Sequence, residues 1–163
     1  DDLAQVPGAV GVNNHMGSVF TANTAAVNRF IKCLAGRGLY FIDSRTTART
    51  TAFDIALKNA VPAGTRDVFL DNKNEPNYVI GQFNHLMDVA EERGKAIGIC
   101  HFRATTAQVL VTMLPRLEKN GIRLVHASEL VQKPAVAKPL PVPVPVPQGM
   151  PANTAPIPAK PHP

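Results

Sequence analysis

The sequence predicts an α/β fold in which parallel strands alternate with helices. Two observations carry this. Short apolar runs bounded by turn residues recur along the chain, and the stretches between them place apolar residues at helical spacing. The runs also end alike, in polar residues of the kind that gather at the carboxyl ends of parallel strands.

Element by element, Ala9 to Asn13 follows Pro7-Gly8 and reads as a buried strand after a turn, and a polar loop follows it. From Ala22 to Ala35, Val27, Phe30, Ile31 and Leu34 recur as one face of a helix, which Gly36 and Gly38 stop. Leu39 to Asp43 is the next strand, Thr50 to Asn59 a short helix stopped by Pro62, and Asp67 to Asp71 a third strand. Pro76 to Glu92 is a longer helix with Pro in its first turn and Gly94 after its end. Ala96 to Cys100 is a strand, Thr105 to Lys119 a helix despite Pro115, and Ile122 to His126 a closing strand. Asp1-Asp2-Leu3 reads as the tail of a helix. Such alternation implies right-handed crossovers and a parallel sheet, open or closed into a barrel.

The folded body is expected to span residues 1–132. Of the 15 prolines, 11 lie at or after Pro134, and a run such as Leu140 to Pro147 is expected to be extended polyproline II or disordered. The net charge of +5 includes Lys133, Lys138 and Lys160, so the body holds 14 basic against 12 acidic residues. That mild balance gives no case for nucleic acid. The tail reads as a solvated terminus, with a protein partner as its alternative use. No apolar run approaches the length of a membrane span, and no signal peptide is visible.

The strand ends concentrate the chemistry. Successive runs give way to Asn13-Asn14-His15, to Asp43-Ser44-Arg45, to Asp71-Asn72 and to His101. Imidazoles and carboxylates on one rim are the ligand and acid/base set of a hydrolytic metal site. Taken singly, each has a plainer role: a lone His after a strand is commonly a hydrogen-bonded rim residue, and Asp43 or Asp71 can fix a loop or cap a helix. For Asp71 that plainer role is preferred, because a long helix starts soon after it. His85 and His162 read as exposed, and His126 as structural. Cys100 alternates with His101 along a strand, so the two should face opposite ways, which argues against a Cys-His dyad. No phosphate-binding glycine motif is present.

Four stretches then carry a family resemblance: Gly11 to Ser18 (GVNNHMGS), Phe41 to Ala48 (FIDSRTTA), Arg66 to Asn72 (RDVFLDN) and Ile97 to His101 (IGICH). The chain resembles the divergent polysaccharide deacetylases, distant relatives of the NodB-type carbohydrate esterases. The resemblance implies a partial (β/α) barrel of the NodB/polysaccharide deacetylase type. It implies metal-dependent removal of acetyl groups from a cell-envelope polysaccharide, a divalent metal, zinc by preference, and a periplasmic or envelope location. His15 then looks like a metal ligand and His101 like the general acid. Asp43 looks like a catalytic residue at the rim, and Asn14, Ser44, Arg45 and Asp71 look like residues that bind substrate or orient the site. Two further family motifs, Ile-Asp-Asp-Leu-Gly and His-Leu-Pro-Met, would stand before residue 1, so the chain is expected to carry only part of the metal site. It also departs from the family where Cys100 replaces glycine before the histidine and Phe102-Arg103 replaces proline after it. The alternative is a non-catalytic envelope protein that keeps the barrel to bind glycan or protein.

Overall fold

A computed structural model describes residues 2–134 of the chain. The proline-rich tail lies outside the described residues from position 135 onward. The expected alternation is present: β1 (Gly11–Asn13), α1 (Ser18–Thr21), α2 (Thr24–Leu34), β2 (Tyr40–Asp43), α3 (Ala52–Lys58), β3 (Ala63–Thr65), β4 (Val68–Phe69), α4 (Pro76–Arg93), β5 (Gly98–Ile99), α5 (Ala104–Lys119) and α6 (Ala127–Leu130). All strand pairings between these elements are parallel.

The ladder comes in two pieces, β1-β2-β3 and β4-β5. They join because the segment from Ala63 to Phe69 changes partner midway. Its first half pairs with β2, and Arg66 N–H extends that pairing by donating to the Asp43 carbonyl at 2.9 Å. Its second half pairs with β5, beginning with Asp67 N–H to the Ile97 carbonyl at 2.8 Å. The ends of β1, β2, β4 and β5 therefore follow one another along an open parallel array.

Each sheet piece has its own apolar cluster. Val27, Ile31 and Leu34 of α2 pack with Phe41 of β2, with Ile55 and Ala56 of α3, and with Ala63. Val79, Phe83 and Met87 of α4 pack with Val68, Leu70 and with Val109 and Met113 of α5. The helix ends follow local chemistry. Asn23 caps α2, its side-chain oxygen accepting from Ala26 N–H at 3.1 Å. Gly94 closes α4 in the left-handed conformation at φ 75°.

Four expectations are corrected. The first residues form a short 3₁₀ turn over Asp2–Gln5 rather than the tail of an α-helix. The loop after β1 contains α1, so the first helical stretch is broken at Asn23. β3 was not expected, since Ala63-Gly64-Thr65 lacks a bulky apolar pattern; it is built from small residues because Ile42 and Ile97 crowd Gly64. Ile122 to His126 is not a strand: it joins no ladder among the described residues, and His126 instead opens α6 in a reciprocal cap with Glu129. The chain beyond it returns to β3, where Ala63 and Gln132 exchange backbone hydrogen bonds of 3.0 and 2.7 Å.

Gly11 faces Tyr40 across the β1-β2 ladder, and a Cβ there would overlap the tyrosine ring. Gly11→Ala is expected to lower stability by about 1–3 kcal/mol through this overpacking. Chemical denaturation checks it, and Gly11→Ala with Tyr40→Leu should recover part of the loss.

Candidate active site

Asp71 stands just past β4 and has no exposed surface. Its carboxylate accepts from the His101 backbone N–H at 2.9 and 3.0 Å and from the Thr106 hydroxyl at 2.9 Å. The His101 ring completes the set, with Nδ1 lying 3.1 Å from Asp71 Oδ1. Burial opposes the charged carboxylate most strongly, but the bonds from the His101 backbone, Thr106 and the His101 ring together outweigh it. The carboxyl is therefore held below its ordinary value. A carboxylate acceptor fixes the proton on Nδ1, which leaves Nε2 outside that contact in a ring whose side chain is 35% exposed. Arg103 ties the same corner, donating through Nη1 to the Asp71 carbonyl at 2.9 Å.

His15 is exposed and meets His101 edge to face, with ring centroids 5.9 Å apart. Phe69 lies on another side of His101, at 5.3 Å between centroids. The loop bearing His15 is locked to the loop after β2. Asn14 Oδ1 accepts from Ser44 N–H at 2.8 Å, Asn13 Nδ2 donates to Ser44 Oγ at 3.1 Å, and the Thr46 hydroxyl donates to the Met16 carbonyl at 3.2 Å. Met16 and Arg45 take positive φ, 56° and 48°, in these loops, a conformation non-glycine residues rarely adopt.

The residues singled out in the sequence thus fall into two groups. His15, His101 and Asp71 come together. Asn14, Ser44 and Asp43 hold the loops: Asp43 is fully buried, and its oxygens accept from Arg45 N–H and the Thr50 hydroxyl, both at 2.8 Å, within its own loop. The Arg45 side chain is exposed at the rim. The plainer role preferred for Asp71 is incomplete, since it both fixes a loop and grips His101. Thr106 and Arg66 were missed, and Arg103 was noted only as a departure beside His101. Arg66 donates to the carbonyls of Ser44 and Arg45 at 2.8 and 3.0 Å, and its guanidinium lies 5.8 Å from the Phe69 ring centre. Burial lowers the Arg66 pKa, and the Arg45 charge lowers it further.

Cys100 points away from this rim. It lines an apolar cavity of about 760 Å³ with Leu70, Leu86, Leu110 and Ile122. Desolvation, and secondarily Asp71, raise its thiol pKa, the opposite of what an attacking thiolate needs.

Among the described residues no three His, Cys, Asp or Glu side chains converge as a metal-ligand set. His15 and the Nε2 of His101 are two imidazole donors on one side of the rim. A catalytic zinc takes three protein ligands, so these residues do not by themselves make a closed metal site.

An open parallel array with helices between its strands and its polar side chains at the carboxyl ends defines an α/β protein of the deacetylase-like fold. The chain belongs to the divergent polysaccharide deacetylase family, whose family model matches residues 1–131. It is 39% identical over 131 residues to the uncharacterized protein YibQ of Escherichia coli strain K12, covering 80% of this chain and 41% of that protein. It is 37% identical over 133 residues to an uncharacterized protein of Haemophilus influenzae Rd, covering 82% and 47%. The chain therefore spans less than half the length of these curated relatives. The crystal structure of the uncharacterized protein ATU2773 from Agrobacterium tumefaciens C58 superposes with a TM-score of 0.73 at 27% identity, covering 75% of this chain and 50% of that one.

Asp71→Asn is expected to cost about 1–3 kcal/mol at neutral pH, because one of the buried acceptors becomes a donor facing Thr106 or His101. A carboxyl depressed in the folded state stabilises above its unfolded value of about 3.9 and loses that contribution as pH falls through the folded value. The gap between wild type and variant in urea melts should therefore narrow below about pH 4. A gap that stays constant from neutral pH to strong acid would contradict the assigned bonds.

Proposed function

We propose that this chain is part of a metal-dependent polysaccharide deacetylase of the cell envelope, with His101 as its proton-transferring residue. The observation that carries this is the buried Asp71 carboxylate gripping His101 from backbone and ring while the partly exposed imidazole meets His15 edge to face. Such a pair is suited to hand a proton to a departing sugar amine or hydroxyl, because the carboxylate fixes the tautomer and stabilises the imidazolium that forms.

His15 is proposed as one ligand of a divalent metal, zinc by preference, with further ligands from the family motifs expected ahead of residue 1. When bound, the metal supplies polarisation of the acetyl carbonyl and an activated water. The chain's own residues do the rest. The Asn13 to Ser18 and Asp43 to Thr47 loops fix the position of His15, Asp71 fixes His101, and Arg66 holds the loop carbonyls at Ser44 and Arg45. Asp43 acts by holding its loop, since both its oxygens are engaged there. A non-catalytic glycan-binding protein is the second reading, favoured by the lack of a third converging donor among the described residues.

In protein carrying the upstream motifs, His101→Ala should reduce acetate release from an acetylated polysaccharide by about 10²–10⁴-fold. His15→Ala should abolish metal retention measured by elemental analysis, whereas His85→Ala, on the exposed face of α4, should leave it unchanged. Equal metal content in the two variants would misplace the ligand. Wild-type protein with full metal content and no acetate release would favour the second reading.

A further inference from the structure

The three residues that follow β5's polar end do something the proton-transfer role does not use. Arg103 N–H donates to the His101 carbonyl at 3.0 Å, a three-residue turn that leaves Phe102 at its tip. Phe102 is 105% exposed, so its whole ring stands in water immediately beside His101.

Arginines follow three of the strand ends. Arg45 comes after β2, Arg66 after β3 and Arg103 after β5, and Asp43 and Asp71 there are fully buried and already hydrogen-bonded. Glu75, in the segment before α4, is an exposed carboxylate with Lys73 two residues away. Two of the arginines are linked by contacts to the His101 corner. The Arg45 carbonyl is held by Arg66, Arg66 lies over Phe69, Phe69 lies against His101, and Phe102 follows His101 in the chain. Among the described residues no hydrogen bond or ion pair engages the Arg45 guanidinium, and its charge opposes that of Arg66. Two cations that repel each other gain when an anion enters between them.

We propose that this rim is a binding subsite for a carboxylate-bearing polysaccharide. Phe102 offers its ring face to the apolar face of a pyranose, and Arg45 with Arg66 takes the sugar's carboxylate through planar guanidinium donors. The subsite rests on the glycan reading above and narrows its substrate to acidic chains.

The test is calorimetric titration of the full chain with oligogalacturonate and with chito-oligosaccharide of equal length. Oligogalacturonate should bind at least about tenfold more tightly and weaken with added salt. Phe102→Ala should weaken it by about three- to tenfold while Phe102→Trp retains it. Arg45→Gln should weaken it, whereas Lys32→Gln, an exposed cation on α2, should not. Chito-oligosaccharide bound as tightly as the uronate, and weakened by Phe102→Ala, would overturn the acidic class and leave the glycan reading standing. Uronate binding that ignores both Phe102 and Arg45 would overturn the subsite. Binding of neither sugar would overturn the subsite and the glycan reading together.

Discussion

A carboxylate without exposed surface must find hydrogen bonds or give up its charge, and Asp71 finds them on two other elements. The backbone of His101 follows β5, and Thr106 lies in the first turn of α5. Through one side chain the end of β4 is thus joined to the next strand and to the helix that leaves it. That junction determines where His101 sits, which way its ring turns and which ring nitrogen the carboxylate engages. Arg103, bonded to the Asp71 carbonyl, closes the same corner from outside. The distance between His15 and His101 depends on this corner on one side and on the interlocked loops after β1 and β2 on the other.

Asp43 and Asp71 occupy equivalent places and use the same bonds, each accepting from a backbone N–H and a threonine hydroxyl. They differ in reach. Asp43 bonds to residues two and seven positions away, so it shapes only its own loop, whereas the partners of Asp71 lie 30 and 35 positions away. Reach across the chain is what local sequence does not display. Both residues appear there as an Asp after an apolar run, and the sequence favoured Asp43 for chemistry and Asp71 for loop fixing. The geometry gives Asp43 the loop-holding work and Asp71 the grip on His101. The same limit hid Thr106 and Arg66, whose partners are visible only once strands are side by side.

What was legible followed from periodicity and from stop signals. α2, α4 and α5 each carry an apolar stripe that now packs in one of the two clusters, and the glycine after α4 ends it as its left-handed conformation permits. The strands β1, β2, β4 and β5 lie within the apolar runs. Failures came where a strand depends on its neighbours. β3 is Ala-Gly-Thr because Ile42 and Ile97 occupy the room a larger residue would need. Ile122 to His126 has the apolar residues of a strand, yet Leu124 is 69% exposed and an apolar cavity separates the segment from the body of the sheet. A strand is defined by its ladder, and composition alone does not supply the partner.

The two most recognisable motifs have a division of labour that follows from their hydrogen bonds. In Asn13 to Ser18 and Asp43 to Thr47, the residues with most polar capacity are spent on one another: Asn14 on Ser44, Thr46 on Met16, and the Ser18 hydroxyl on the Thr46 carbonyl at 3.0 Å. Positive φ at Met16 and Arg45 costs about 1–3 kcal/mol apiece, and these cross-loop bonds are what hold both residues there. His15 is left as the side chain of its motif not consumed by the lock, and Arg45 as the charged group of the other. A rigid frame that withholds one imidazole and one guanidinium from its own bonding delivers both to whatever lies above the strand ends. The two motifs therefore supply mostly the frame, and the proposed chemistry rests on the few groups the frame leaves unspent.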